Sequence, residues 1–237
     1  MRILGIETTS KTCSTALVEN SRVIKEISLR EGLIHSEKLI PIIDKALNST
    51  NWRVGDLDGI VVSSGPGSFT GIRIGVSAAR ALAQGLEIPL VGVISLDALT
   101  HGIVFDGGIV CPLVDALRSE VYTSLYLKGK RIMPYRLVRI EDWIELIKKR
   151  DVRILFLGEA CDIYEDRLKE SLGDKARIVE KPLRYASATR VALLGEKRLS
   201  RRGSKSYKNV LPKYIRRAEA EVKWKEIRRR SKKHKHR

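Results

Sequence analysis

Cysteines, long apolar runs and aromatic residues are all scarce in this sequence. Its three cysteines, Cys13, Cys111 and Cys161, are far apart and odd in number, which excludes a disulfide framework and predicts reduced thiols. No apolar run reaches the roughly 18 residues that a membrane-spanning helix needs. The amino-terminal apolar stretch meets Glu7 too early to form the core of a signal peptide. Together these absences predict a cytoplasmic protein.

The basic charge is concentrated at one end of the chain. The net charge is +17, and residues 197–237 contain 18 of the 45 lysines and arginines against three glutamates. Residues 1–196 carry 27 basic and 25 acidic side chains, so this larger part is close to neutral. Two interpretations of the tail at 223–237 stay open. It contacts the phosphate backbone of an RNA, or it is a solvated, disordered segment without a specific partner.

The order of predicted elements is the same in the two halves of the chain. Each half begins with three strands and continues with alternating helices and strands. This order predicts an α/β protein of two lobes that face a cleft, each lobe a mixed sheet opening with three antiparallel strands. We place the lobes at 1–104 and 105–208. A helix at 209–222, packing back on the first lobe, and the basic tail follow.

A glycine-rich run follows a strongly apolar predicted strand. The stretch SSGPGSFTGIRIG holds Gly65, Gly67 and Gly71, together with Ser68 and Thr70, immediately before a helical pattern. Glycines let backbone amides turn inward, and a helix adds its positive end, which is how phosphate-binding loops are built. Thr70 is a candidate cap of that helix. The run is neither a Walker loop nor a dinucleotide fingerprint, so a tight strand-to-helix connection is the alternative.

Two polar turns occupy matching places in the two halves. Glu7, Thr8 and Thr9 end the first strand, and Asp115 ends the first strand of the second half. In a two-lobed fold these turns face each other across the cleft. Carboxylates and hydroxyls in this arrangement could hold a hydrated magnesium ion with the phosphates of ATP or ADP. The alternative is polar turn chemistry that caps the two hairpins.

Several segments resemble one known family, the TsaB (YeaZ) family of the tRNA threonylcarbamoyladenosine machinery. They are MRILGIETTSKTCSTALVE, HSEKLIPIIDKAL, SSGPGSFTGIRIG, IPLVGVISLDAL and VDALRSEVYTSLY. The resemblance covers residues 1–127 well, thins over 128–206 and returns weakly at VLPKYIR. It implies the two-lobed actin-like ATPase fold (ASKHA, RNase H-like). It also implies a non-catalytic subunit that activates a TsaD-like transferase, which modifies the adenosine next to the tRNA anticodon.

The resemblance also has implications for metal binding and for nucleotide binding. The catalytic sister family, TsaD, carries two metal-binding histidines just after the strand equivalent to IPLVGV. Aligned on VGV, this chain has Ser95 and Leu99 at those positions, and neither replaces an imidazole. Glu7 stands where TsaB relatives commonly have aspartate, and the extra methylene is expected to push its carboxylate further into the cleft. We expect the chain to bind no metal and no nucleotide tightly. ATP or ADP with Mg²⁺ is a possible ligand at an interface shared with a partner subunit.

The resemblance further implies a heterodimer with the TsaD-like subunit and a TsaE-like ATPase at its junction. Apolar residues on more than one side of the helix at 36–47, and residues small enough for close helix approach at 71–86, indicate where the partner binds, although core packing explains the same pattern. Without its partner, such a surface is expected to form a two-fold homodimer. The predicted partner-contact residues are His35, Leu39, Ile40, Ile42, Ile43, Ile72, Arg73, Val76, Ala79, Arg80 and Ala83.

Three other classes of function compete with the scaffold hypothesis. A weak ATPase or small-molecule kinase of the same fold is the main alternative, and Glu7 counts against it. A metallopeptidase needs the histidine pair that Ser95 and Leu99 displace. A simple RNA-binding module is suggested only by the tail, because the body lacks aromatic platforms in a basic setting.

Overall fold

A computed structural model describes residues 1–30, 35–200 and 207–216 of the chain. The strands are β1 (Arg2–Glu7), β2 (Cys13–Glu19), β3 (Arg22–Leu29), β4 (Gly59–Ser63), β5 (Leu90–Val93), β6 (Gly108–Asp115), β7 (Glu120–Thr123), β8 (Tyr126–Leu127), β9 (Lys130–Arg131), β10 (Arg136–Arg139), β11 (Arg153–Leu157) and β12 (Ala176–Ile178). The helices are α1 (His35–Ser49), α2 (Phe69–Gly85), α3 (Ser95–Thr100), α4 (Ile140–Lys148), α5 (Cys161–Leu172) and α6 (Ala188–Leu199). Short 3₁₀ turns cover Val54–Asp56, Gly173–Lys175 and Tyr207–Asn209.

The first sheet has five strands in the order β3-β2-β1-β4-β5. β1, β2 and β3 are antiparallel, and β4 and β5 run parallel to β1. β1 is buried on both faces, so its side chains alternate between two cores. Leu4 and Ile6 pack with α1 and α2, whereas Ile3 packs with α6. The carboxyl ends of β1, β4 and β5 therefore open on one edge, where ligands of α/β proteins commonly bind.

The second sheet repeats this plan around a core of its own. Its strand order is β10-β7-β6-β11-β12, and the small β8–β9 hairpin also pairs with β6. β6, β7 and β10 are antiparallel, and β11 and β12 are parallel to β6. Trp143 and Phe156 are the largest fully buried side chains of this core, which α4 and α5 cover. The predicted opening of three antiparallel strands in each lobe is confirmed.

A fourth apolar cluster joins the two lobes. Leu96 and Leu99 of α3 pack against Val110, Val114 and Tyr126 of the second sheet. Because α3 follows directly from β5, the first sheet is connected to the second through buried side chains as well as through the chain. No helix in the described part of the chain is long and apolar enough to cross a membrane.

The carboxyl-terminal elements are placed differently from the predicted domain limits. α6 lies in the predicted second lobe at 105–208, yet it packs on the first sheet with Val191 and Ala192 against Ile3 and Val61. Residues 207–216 contact the first lobe through Lys213 and Ser64, and they form a 3₁₀ turn followed by irregular chain, where a helix was predicted for 209–222. The rest of 209–222 and the basic tail at 223–237 lie outside the described residues.

Candidate functional site: the cleft loops

The turn after β1 and the glycine-rich loop after β4 pack directly on each other. The Ser68 amide donates a hydrogen bond of 2.7 Å to the Thr9 carbonyl oxygen. The Thr8 hydroxyl donates one of 2.7 Å to the carbonyl oxygen of Gly71. Thr8 and Thr9 are both fully buried. The two segments predicted to hold phosphate are therefore bonded to each other at the carboxyl edge of the first sheet.

The glycines of the loop provide the room for this contact. A Cβ atom at Gly71 would lie 3.2 Å from the carbonyl carbon of Thr8 and closer still to its oxygen. A Cβ atom at Gly67 would lie 3.0 Å from both the carbonyl carbon and the Cβ of Thr9, and Gly67 has a φ of +154°. A side chain at either position would displace the β1 turn. The geometry thus accounts for both glycines by close packing of backbone on backbone.

Ser68 caps the helix that follows the loop. Its side-chain oxygen accepts a hydrogen bond of 3.2 Å from the Gly71 amide, and α2 begins at Phe69. The prediction that Thr70 is the cap is wrong, because Thr70 lies inside the first turn of α2. A serine at the capping position satisfies an amide that the helix itself leaves without a partner.

Glu7 is buried and turned back on its own loop. Its carboxylate is 1% exposed and accepts hydrogen bonds from the Thr9 amide (2.5 Å) and the Thr9 hydroxyl (2.6 Å). Burial raises the pKa of Glu7, and the two bonds from Thr9 oppose the shift. The expectation that Glu7 reaches further into the cleft is wrong, because the longer side chain folds onto Thr9 instead.

The second lobe faces this turn with two carboxylates. Asp115 ends β6 and accepts a hydrogen bond of 2.9 Å from the Leu117 amide, as a residue that caps a turn does. Glu159 follows β11 and accepts one of 2.9 Å from the Lys11 amide, which joins the two lobes across the cleft. Burial raises the pKa of Glu159, the Lys11 contact opposes the shift, and the carboxylates of Asp115 and Glu7 add to it.

Glu159 is the site residue that the sequence did not reveal. Its signal is the dipeptide Gly158–Glu159 between a buried strand and a helix, in the half of the chain where the family resemblance is thin. Within the described ranges, no three His, Cys, Asp or Glu side chains are arranged to hold a metal ion. The three carboxylates therefore influence one another electrostatically without forming a metal cage.

Positions 95 and 99 are part of the packing of α3. The Ser95 hydroxyl donates to the Pro66 carbonyl oxygen, and the Ser95 amide donates to the Gly65 oxygen at 3.0 Å. Leu99 is 2% exposed in the cluster between the lobes, and its carbonyl oxygen accepts a bond of 2.9 Å from the Arg190 guanidinium. Both side chains are thus engaged in holding the glycine-rich loop and the two lobes together.

Most of the predicted partner-contact residues are core positions. His35, Leu39, Ile42, Ile43, Ile72, Val76, Ala79 and Ala83 are each at most 5% exposed. The partner-facing prediction is therefore wrong for these eight side chains. Because α1 packs on β2 and β3 with one side and on α2 with another, the chain itself covers both apolar sides. The prediction stands for Ile40 and Arg73, which are exposed, and for the half-buried Arg80.

The carboxyl-terminal segment at 210–216 bridges the lobes beside the glycine-rich loop. The Lys213 amide donates a hydrogen bond of 2.7 Å to the Ser64 carbonyl oxygen. The Tyr214 ring stacks on Phe69, and its hydroxyl accepts a bond of 3.0 Å from Arg73. Arg216 then reaches the turn of the second lobe, where it donates to the Ala116 oxygen at 2.7 Å and pairs with Glu120.

Comparison with known proteins places this arrangement in a family. A family model described as TsaD, tRNA N6-adenosine threonylcarbamoyltransferase, matches residues 32–224. The tRNA threonylcarbamoyladenosine biosynthesis protein TsaB of Bacillus subtilis is 35% identical over 229 residues, which are 94% of this chain and 98% of that protein. The chain belongs to the TsaB family. TsaB of Escherichia coli is 35% identical over 134 residues, 55% of this chain and 57% of that protein.

Solved structures confirm the fold class of this TsaB-family chain. YeaZ from Pseudomonas aeruginosa has a TM-score of 0.69 at 22% identity, covering 90% of this chain and 99% of that one. Component A of the (R)-2-hydroxyglutaryl-CoA dehydratase of Acidaminococcus fermentans has a TM-score of 0.54 at 13% identity, covering 85% and 100%. The two-lobed, actin-like architecture predicted from the sequence is therefore correct.

Proposed function

We propose that this chain is a non-catalytic subunit required for the formation of N6-threonylcarbamoyladenosine in tRNA. In this proposal it activates a TsaD-like transferase, with a TsaE-like ATPase at their junction. The observation that carries the non-catalytic role is the placement of Ser95 and Leu99. The Ser95 hydroxyl is bonded to the Pro66 oxygen and the Leu99 side chain lies in an apolar cluster, so neither position offers a metal ligand.

The cleft does not fit a magnesium nucleotide held by this chain alone. The Ser68 amide, which a phosphate would use, is bonded to the Thr9 carbonyl oxygen. The Glu7 carboxylate, which would hold a magnesium-bound water, is buried and bonded to Thr9. We therefore propose that this chain binds no nucleotide tightly and that any ATP or ADP acts at the interface with the partner subunits. The same contacts count against the alternative of a weak ATPase or small-molecule kinase.

The exposed side of the α1–α2 pair is the proposed partner surface. Ile40 is 53% exposed on α1, and Arg73 is exposed on the first turn of α2, where it is fixed by Phe69 and Tyr214. An exposed isoleucine on α1 and an ordered arginine on the neighbouring helix α2 are compatible with a protein contact surface, where arginine is enriched among the charged side chains. A chain without its partner is expected to self-pair through this surface.

The test is a reconstitution of the complex. TsaD-like and TsaE-like subunits, threonylcarbamoyl-adenylate and unmodified tRNA are combined with and without this chain, and modified adenosine is measured by mass spectrometry. We expect modification only when this chain and the transferase are both present, and no ATP turnover by this chain alone. Modification without this chain, or ATP turnover by it, would contradict the proposal.

A matched pair of variants tests the surface. Ile40→Lys places a charge on the proposed contact and is expected to weaken heterodimer formation and modification together. Val104→Lys changes an apolar residue that is 81% exposed between the lobes and is expected to leave both unchanged. Equal effects of the two variants would contradict the placement of the partner surface on α1.

A further inference from the structure

One edge of the second sheet is strongly basic. β9 and β10 form its outer row, because they pair with β8 and β7, and both of those pair with β6. Residues 126–139, which include these strands, contain five lysines and arginines and no aspartate or glutamate. We call these five exposed residues the basic edge: Lys128, Lys130, Arg131, Arg136 and Arg139.

The charge of the basic edge is not neutralised by its surroundings. Arg139 makes one exposed ion pair, with Glu141, at 3.7 Å between nitrogen and oxygen. For the other four members, no carboxylate within ranges 1–30, 35–200 and 207–216 comes within ion-pair distance. Residues 1–196 have only two more basic than acidic side chains, so the protein outside the basic edge is net negative over this region. The five charges are thus a local concentration rather than part of a generally basic surface.

Arg131 is held in place by aromatic and polar neighbours. Its guanidinium carbon lies 4.0 Å from the centroid of the Tyr135 ring. The Tyr135 hydroxyl donates to both carboxylate oxygens of Asp97 at 2.8 Å, and the Tyr126 hydroxyl donates to the same group at 2.6 Å. A guanidinium that lies on a fixed ring keeps its N–H groups available and loses little further freedom when it binds a phosphate.

Helix α6 brings a further cation to the same place. Burial and the bond to Asp97 raise the pKa of Tyr135, and the charges of Arg131 and Arg198 both oppose that shift. Arg198 is in the last turn of α6, far from Arg131 in sequence. Two segments of the chain therefore contribute positive charge near one ring.

We propose that the basic edge binds the phosphate backbone of an RNA. Exposed lysines and arginines along one edge of a sheet, four of them without an ion-pair partner among the described residues, match a row of phosphates, whose neutralisation releases counterions. The Tyr135 ring is covered by Arg131, so the surface offers charge without a free platform for base stacking, which fits backbone rather than base recognition. The choice of tRNA as that RNA rests on the proposed function, whereas the charge and exposure do not.

The test compares two triple variants of the full-length chain. Lys128→Ala/Lys130→Ala/Arg136→Ala removes three members of the basic edge that have no ion-pair partner. Arg22→Ala/Lys25→Ala/Lys45→Ala removes three exposed cations of the first lobe and serves as the control. Both keep the basic tail, so its contribution is the same in each. Affinity for an unmodified tRNA transcript is measured over a series of salt concentrations.

We expect the edge variant to bind roughly tenfold more weakly and the slope of log affinity against log salt to fall by about 2. The control is expected to retain the wild-type affinity and slope. Equal slopes in the two variants, or no binding by the wild type, would overturn the proposal. Weaker binding to the TsaD-like subunit with unchanged tRNA binding would overturn it in favour of a protein interface.

The modification assay separates this inference from the proposed function. A wild-type chain that supports modification while the two triple variants bind tRNA alike contradicts only the basic edge. A wild-type chain that does not support modification, while the edge variant loses salt slope, contradicts only the subunit role. Thermal unfolding of both variants confirms that binding is compared between folded proteins.

Discussion

Gly71→Ala tests whether the glycine-rich loop is built for packing or for a ligand. In most helices this change stabilises a protein by up to about 1 kcal/mol. Here the new methyl group would lie 3.2 Å from the Thr8 carbonyl carbon, 3.3 Å from the His35 ring, and closer still to the Thr8 oxygen. Since the Thr8 hydroxyl also donates to the Gly71 oxygen, the β1 turn cannot retreat without losing that bond.

The magnitude follows from these contacts. Overpacking a tight site costs about 1–3 kcal/mol, and loss of one buried hydrogen bond costs about 1 kcal/mol. Set against the usual helical gain, we expect Gly71→Ala to lower the free energy of unfolding by about 2 kcal/mol, or the Tm by roughly 4–8 °C. The measurements are urea unfolding and a thermal melt.

Gly85→Ala is the matched control in the same helix. A Cβ atom at Gly85 would meet nothing within 4 Å, so this variant should be as stable as the wild type or slightly more stable. If Gly71→Ala is equally stable and instead weakens ATP binding, the packing explanation is refuted and the loop is a nucleotide site.

Four further variants test the electrostatics and the bridge between the lobes. In Glu7→Gln the amide oxygen can still accept the hydrogen bonds from Thr9. Because the pKa of Glu7 is raised in the folded protein, the wild type should lose stability relative to this variant as pH rises above about 4. For Asp162, burial opposes ionisation but bonds from Arg184 and Tyr185 lower the pKa. Asp162→Asn should therefore be less stable at pH 7, the difference fading as pH falls through the carboxyl range; urea midpoints at both pH extremes check each pair. Arg216→Ala should cost about 1–2 kcal/mol and Arg139→Ala less than about 1 kcal/mol, since only the first breaks contacts between lobes.

The fold could be predicted because its strands carry a clear pattern. Apolar runs such as Ile60–Val62 mark strands buried on both faces, and the change from strand to helix periodicity repeats in each half. The sheet on which α6 packs could not be predicted, because the order of elements does not show on which side of the cleft a helix near the end of the chain packs. Contact with Gly5, where a Cβ would lie 2.9 Å from Ala192 Cβ, is a long-range fit that no local pattern reveals.

The candidate site was predicted in location but not in detail. The sequence brought Glu7 and the glycine-rich loop to one place, since both follow strands whose carboxyl ends share an edge. It did not show that their amides and carbonyls bond to each other, because such bonds depend on the tertiary approach of two loops. The same limit hid Glu159, whose relation to Lys11 spans 148 residues of sequence.

The arrangement of the cleft supports the proposal that this chain acts without a reaction of its own. The β1 turn fills the glycine-rich loop, Glu159 binds Lys11 across the lobes, and Arg216 ties the carboxyl-terminal segment to the opposite turn. In the proposed function, the surfaces that bind partners are the exposed side of α1 and the basic edge of the second sheet. Function in this chain is therefore expected to be lost by changing those surfaces and stability by changing the cleft.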